Sequence, residues 1–161
     1  MSDELWRESA LGLAELIRAG KVSSREVIDA HLARIEEVNP HLNAVVRVLA
    51  DEARAAADAA DEALADGRPL GAFHGVPFTV KENIDLAGTP TTSAVVALAE
   101  AIAPIDAPQV ARLRDAGAIP IGRTNLPDLG LRVHTHSSWH GLTRTPWNPH
   151  RTAGGGSTGS G

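Results

Sequence analysis

Three stretches of this sequence carry residue types that could do chemistry. The first is His74-Gly75-Val76-Pro77-Phe78-Thr79-Val80-Lys81-Glu82-Asn83, which sets Lys81 at the end of an apolar run. A lysine among apolar neighbours sheds the hydration that keeps it charged and can serve as a base. A strand-end lysine can equally snorkel its ammonium into water. The second stretch is Ala153-Gly154-Gly155-Gly156-Ser157-Thr158-Gly159-Ser160-Gly161. Its glycines let backbone amides approach a ligand, and its hydroxyls could act as nucleophiles or proton carriers. Read by letter, Gly154, Gly156 and Gly159 fit a dinucleotide fingerprint, but no strand precedes them and no helix follows. A phosphate loop would need a lysine before its hydroxyl, and none is there; a glycine–serine linker is a further reading. The third stretch holds His134, His136, His140 and His150, a spacing that zinc could use. No carboxylate helix motif accompanies these histidines, so surface-loop imidazoles with local hydrogen bonds are the better reading, and no metal or cofactor is assigned.

The elements that must position these residues follow from periodicity. Ser2 to Ala19 predicts a helix with Trp6, Leu13, Leu16 and Ile17 on one face and Gly20 as its stop. Ser23-Ser24-Arg25-Glu26 is a capping box for a second helix, carrying Val27, Ile28, Leu32, Ile35 and Val38 and expected to end near Asn39, before Pro40. Leu42 to Leu49 is β-branched and extended. Asp51 to Asp66 predicts an acidic helix ended by Gly67, its carboxylates forming a solvated face. Val76 to Lys81 predicts a strand. Asp106 caps a helix with Pro108 in its first turn and Val110, Leu113 and Ala116 inward, and Ala118 to Gly122 is the next strand. Strand, long crossover with a helix, and strand is the pattern of a parallel α/β unit. From Thr124 onward helical periodicity disappears and loop is expected.

Composition removes whole classes. The 161 residues are 43% hydrophobic and 22% charged, an ordinary globular balance that excludes collagen-like and fully disordered chains. The net charge of −5, with no basic block, disfavours both a nucleic-acid partner and anionic lipid, since each requires a cationic face. Having no cysteine, the chain has no disulfide, thiolate nucleophile or Cys-based metal site, which fits a cytoplasmic location. The acidic start, Met1-Ser2-Asp3-Glu4, reads as the lead into a patterned helix and is not expected to be a signal peptide. The longest apolar stretch, Ala94 to Ile105, is interrupted by Glu100 and Pro104 and is too short to span a bilayer.

The order of these segments is more specific than any one of them. Gly75 to Asp85 is followed by Gly88-Thr89-Pro90-Thr91-Thr92, then Gly122-Arg123-Thr124-Asn125-Leu126-Pro127, then Pro146-Trp147 leading to Arg151-Thr152 and the Gly/Ser loop. Together with Val22 to Glu26 and Ile35 to Ala44 upstream, this order resembles the amidase signature family over nearly the whole chain. The resemblance implies an α/β fold: N-terminal helices followed by the first strands and helices of an amidase-type mixed sheet, here incomplete. Residues 1–67 form a helical lead-in, and residues 68–161 start the α/β core and end in the Gly/Ser loop, all within the N-terminal part of one domain.

The resemblance also implies hydrolysis of carboxylic amides by a Ser–cis-Ser–Lys triad. A serine is weak at its free pKa and needs a base. A bridging serine passes its proton to a neutral lysine, which later returns it to the leaving amine. Backbone N–H groups of a glycine-rich turn hold the oxyanion, roughly 3 kcal/mol per donor. Carried over, Lys81 matches the triad lysine. The family loop reads Arg-Thr-Pro-Gly-Gly-Ser-Ser-Gly-Gly. Without a gap, Ala153 replaces its proline, Gly156 falls at the bridging serine and Thr158 replaces a glycine. With one residue inserted, Ser157 becomes the bridging serine, and Ser157 is the candidate because the relay needs a hydroxyl there. The family nucleophile lies in an Asp-x-Gly-Gly-Ser stretch past Gly161. The expectation is therefore an N-terminal portion of an amidase, a fragment or the product of a truncated gene, inactive alone. Expected partners are a small-molecule amide and a missing C-terminal portion or a homo-oligomer. A glutaminase-type subunit that makes amidated aminoacyl-tRNA, and a non-catalytic remnant, are the competing readings.

Overall fold

The computed structural model describes residues 2–154. The first expected helix divides in two. A 3-10 turn runs Ser2–Arg7 and is followed by helix α1, Ala10–Arg18. Ser9 makes the break, because its hydroxyl accepts the Gly12 N–H at 3.0 Å and so caps a new helix. Helix α2, Ser24–Leu42, opens on the expected capping box: Glu26 N–H donates to Ser23 Oγ at 3.0 Å, and Ser23 N–H to the Glu26 carboxylate at 2.8 Å. It does not end before Pro40 but carries it inside the last turn. Asn39 makes this tolerable. Its carbonyl accepts Asn43 N–H at 2.7 Å, and its side-chain oxygen accepts Ala44 and Val45 N–H at 2.9 Å each.

Strand β1, Val45–Val48, and helix α3, Ala50–Ala65, follow. Strand β2, Pro77–Lys81, helix α4, Pro108–Asp115, and strand β3, Ile119–Thr124, complete the expected crossover. The sheet order is β1-β3-β2. Ile119 N–H donates to Val76 O, and Glu82 N–H to Thr124 O. Register thus advances in the same direction on both strands, so β2 and β3 run parallel, whereas β1 pairs antiparallel with β3.

The chain divides into two compact units. The first holds residues 1–36, 49–78 and 111–121. Its core has two clusters. Leu13, Ala14, Ile17, Val27 and Val76 form one, and Ile28, Leu32, Ala53, Ala57, Ile119 and Ile121 the other. Each fully buried Ile or Val contributes about 1.5–3 kcal/mol over its exposed state. The alanine stripe of α3 lets that helix lie close to its neighbours. The acidic face of α3 is more than solvated surface: Asp61 accepts the N–H groups of Ser24 and Arg25 at the start of α2, at 2.6 and 3.0 Å. Gly75, at φ +74°, sits against the buried Ser24 and Ile17 side chains, where a Cβ would not fit.

The second unit holds residues 37–48, 79–110 and 122–161. The stretch after Thr124, expected as loop, contains two short antiparallel hairpins: β4, His136–Ser137, with β5, Gly141–Leu142, and β6, Arg144–Thr145, with β7, Asn148–Thr152. Three of these four strands are two residues long and show no alternation to read. Buried polar side chains hold them. Thr143 Oγ1 donates to Asn43 O at 2.7 Å, Asn125 Nδ2 donates to Thr143 Oγ1 at 3.0 Å, and Ser137 Oγ accepts the N–H groups of Trp139 and His140 at 3.0 Å each.

Candidate functional site

Lys81 is the last residue of β2 and is half-buried. Its carbonyl accepts Ile84 N–H at 3.0 Å and Arg123 Nη2 at 3.3 Å. The peptide that follows is pinned on both sides: Glu82 N–H donates to Thr124 O at 3.0 Å, and Glu82 O accepts Ser93 N–H at 3.1 Å. The backbone that aims Lys81 is therefore held by β3 and by the loop after β2 together.

Around this backbone lies a polar cluster that motif reading did not single out as a unit. Arg123 is fully buried and Glu82 is 2% exposed. Arg123 Nε lies 3.4 Å from Glu82 Oε1, and Nη1 donates to Thr89 Oγ1 at 2.8 Å. The Glu82 carboxylate also accepts the Thr92 hydroxyl. His140 Nε2 lies 3.9 Å from Glu82 Oε2 and has no hydrogen-bond partner among the described residues. Burial lowers the Arg123 guanidinium from its ordinary value, and Glu82 opposes the shift. Burial likewise pushes the His140 imidazole down, against the pull of Glu82 and reinforced by Arg47. Both charged residues stood inside the motif stretches already quoted. Their pairing was invisible because 41 positions separate Glu82 from Arg123, and only the β2–β3 alignment brings them together.

The other candidates are located as follows. Ser157 lies outside the described residues. His134 and His140 are half-buried, and His136 and His150 are exposed. Among the described residues no group of three or more His, Asp or Glu side chains is arranged to hold a metal ion. No helix among them is long and apolar enough to cross a membrane.

Residues 26–161 match the family model described as Amidase, and the chain belongs to that family. It is 50% identical over 157 residues to an indoleacetamide hydrolase of Bradyrhizobium diazoefficiens, covering 98% of this chain and 30% of that protein. It is 39% identical to a glutamyl-tRNA(Gln) amidotransferase subunit of Synechococcus, covering 99% of this chain and 31% of the relative. The solved structure of a bacterial aryl acylamidase of the amidase signature family superposes with a TM-score of 0.90 at 34% identity, covering 94% of this chain and 32% of that one. The chain thus spans about 30% of the length of the curated relatives it matches. Its fold is the mixed α/β arrangement of amidase signature enzymes, incomplete relative to theirs.

Proposed function

We propose that the whole protein hydrolyses carboxylic amides to an acid and ammonia or an amine, with Lys81 as the base of a Ser–cis-Ser–Lys relay. The observation that carries this reading is the placement of Lys81, at the end of β2 on a peptide whose carbonyl and N–H groups are all engaged. Such anchoring supplies the fixed geometry that proton transfer requires. In this reading Lys81 Nζ takes a proton from the bridging serine, Ser157. Ser157 in turn takes one from the serine that attacks the amide carbon, which the family pattern puts past Gly161. The tetrahedral intermediate collapses, the C–N bond breaks, and the proton returns through Ser157 to the leaving nitrogen. Water then releases the acid by the same relay.

Identity of 50% to an indoleacetamide hydrolase supports a primary amide on a small aryl-alkyl acyl group as the substrate class. Similarity to the amidotransferase relative supports a second reading, a glutaminase that works with partner subunits. For either reading we place the protein in the cytoplasm, a location that the absence of cysteine from residues 1–161 fits. Ammonia release by the whole protein from indoleacetamide and from glutamine separates the two. Lys81→Ala is expected to abolish release while leaving thermal stability unchanged. Near-parental turnover by a stably folded Lys81→Ala protein overturns the assignment.

A further inference from the structure

We propose that Arg123 is a positioning residue for Lys81, acting through the Lys81 carbonyl rather than on substrate. The inference rests on the reading of Lys81 as the base and adds to it how that base is aimed. A buried Arg–carboxylate pair contributes little net stability, because desolvation offsets much of the attraction. Its use here lies in geometry. The guanidinium is a rigid planar fork. Its Nη2 donates to Lys81 O, its Nη1 to Thr89 Oγ1, and its Nε faces the Glu82 carboxylate. Three segments meet on that one group: the end of β2, the loop carrying Thr89, and β3 itself. Thr92 locks the far side of the Glu82 carboxylate. The Lys81–Glu82 peptide cannot rotate without breaking this fork, so the starting direction of the Lys81 side chain is set by Arg123.

The test compares Arg123→Lys, Thr89→Val, Thr89→Ser and Lys81→Ala in the whole protein. A lysine at 123 keeps the charge beside Glu82 but cannot fork to both Thr89 and Lys81. Arg123→Lys is expected to lower kcat about 10- to 100-fold, the range for a small misplacement of a reacting group, with KM within about twofold. Thr89→Val, which removes one tine, should lower kcat less, and Thr89→Ser should restore it. Position is read independently of turnover by NMR on protein labelled with carbonyl-13C lysine and 15N glutamate. Lys-Glu occurs once in residues 1–161, and Lys81→Arg identifies its signal. Arg123→Lys should shift that Lys81 carbonyl resonance upfield.

Unchanged kcat and an unmoved Lys81 carbonyl in Arg123→Lys overturn the proposal. So does a loss confined to KM or to thermal stability. If Arg123→Lys does not fold, an unmoved carbonyl in Thr89→Val overturns it. Retained turnover in Lys81→Ala is a separate failure, since it removes the base itself and leaves the carbonyl shift to report only a backbone contact.

Discussion

Arg123→Met keeps most of the side-chain volume and removes the charge. It leaves the buried Glu82 carboxylate without its guanidinium partner, the Thr92 hydroxyl donor and His140 Nε2 at 3.9 Å remaining. The other two acceptors suffer less. Lys81 O keeps the Ile84 N–H, and Thr89 Oγ1 still donates to Leu86 O at 2.8 Å. The loss is therefore dominated by the stranded carboxylate, a change that costs about 3–5 kcal/mol when one partner of a buried pair is removed. Against a total stability of about 5–15 kcal/mol, that brings the protein close to the unfolding threshold at 25 °C. Adding Glu82→Met removes the stranded charge, so the double variant should be more stable than Arg123→Met by about 1–3 kcal/mol. Urea unfolding followed by far-UV circular dichroism and tryptophan fluorescence reads this. Trp139, stacked on His140 with ring centroids 4.4 Å apart, reports from beside the pair. A cost below about 1 kcal/mol for Arg123→Met, or a double variant no better than the single, would refute the claim that the two charges depend on each other.

Gly75→Ala should destabilise by about 2–4 kcal/mol. It forces an alanine to φ +74° and drives a Cβ to 2.8 Å from Ser24 Cβ and 3.0 Å from Ile17 Cδ1; a midpoint within experimental error of the parent contradicts this. Gly122→Ala has no positive φ to contend with but meets Val45 Cγ1 at 2.8 Å and Arg47 O at 2.9 Å. It should cost about 1–3 kcal/mol and speed exchange of the β1–β3 amide protons, and unaltered exchange argues against the tight approach. The depressed His31 and His140 set a pH window. Burial is the leading cause for both, so the unfolded chain binds their protons more readily than the folded one. Their contribution is fully present above the unfolded value of about 6.5 and is lost as pH falls below it toward the folded values. A melting temperature that is flat from about pH 7 to 5, or a slope unaltered by His140→Asn, contradicts the assignment.

The helices that frame the protein were legible because their signals are local. The capping box at Ser23 and Glu26, the apolar spacing from Val27 to Ile35 and the glycine after Asp66 act within one or two turns, the range of helix energetics. Strand β2 and its crossover to β3 were legible for the same reason. Departures came where a side chain outvoted a propensity: Ser9 starting a helix in the middle of a periodic run, and Asn39 holding a last turn through Pro40. The hairpins after Thr124 stayed hidden because Thr143 and Asn125 hold them through contacts distant in sequence.

The same division runs through the site. In the sequence, the types and spacing around Lys81 left a snorkelling lysine open, and it was the resemblance carried by the order of the flanking motifs that implied Lys81 as the base. Its partners needed the tertiary structure. Arg123, Glu82, Thr89 and His140 are ordinary residues until parallel pairing of β2 with β3 buries the first two together and packing brings the others to them. Burial is what turns an ion pair worth little in water into one that cannot be broken cheaply, and burial is a property of the folded chain.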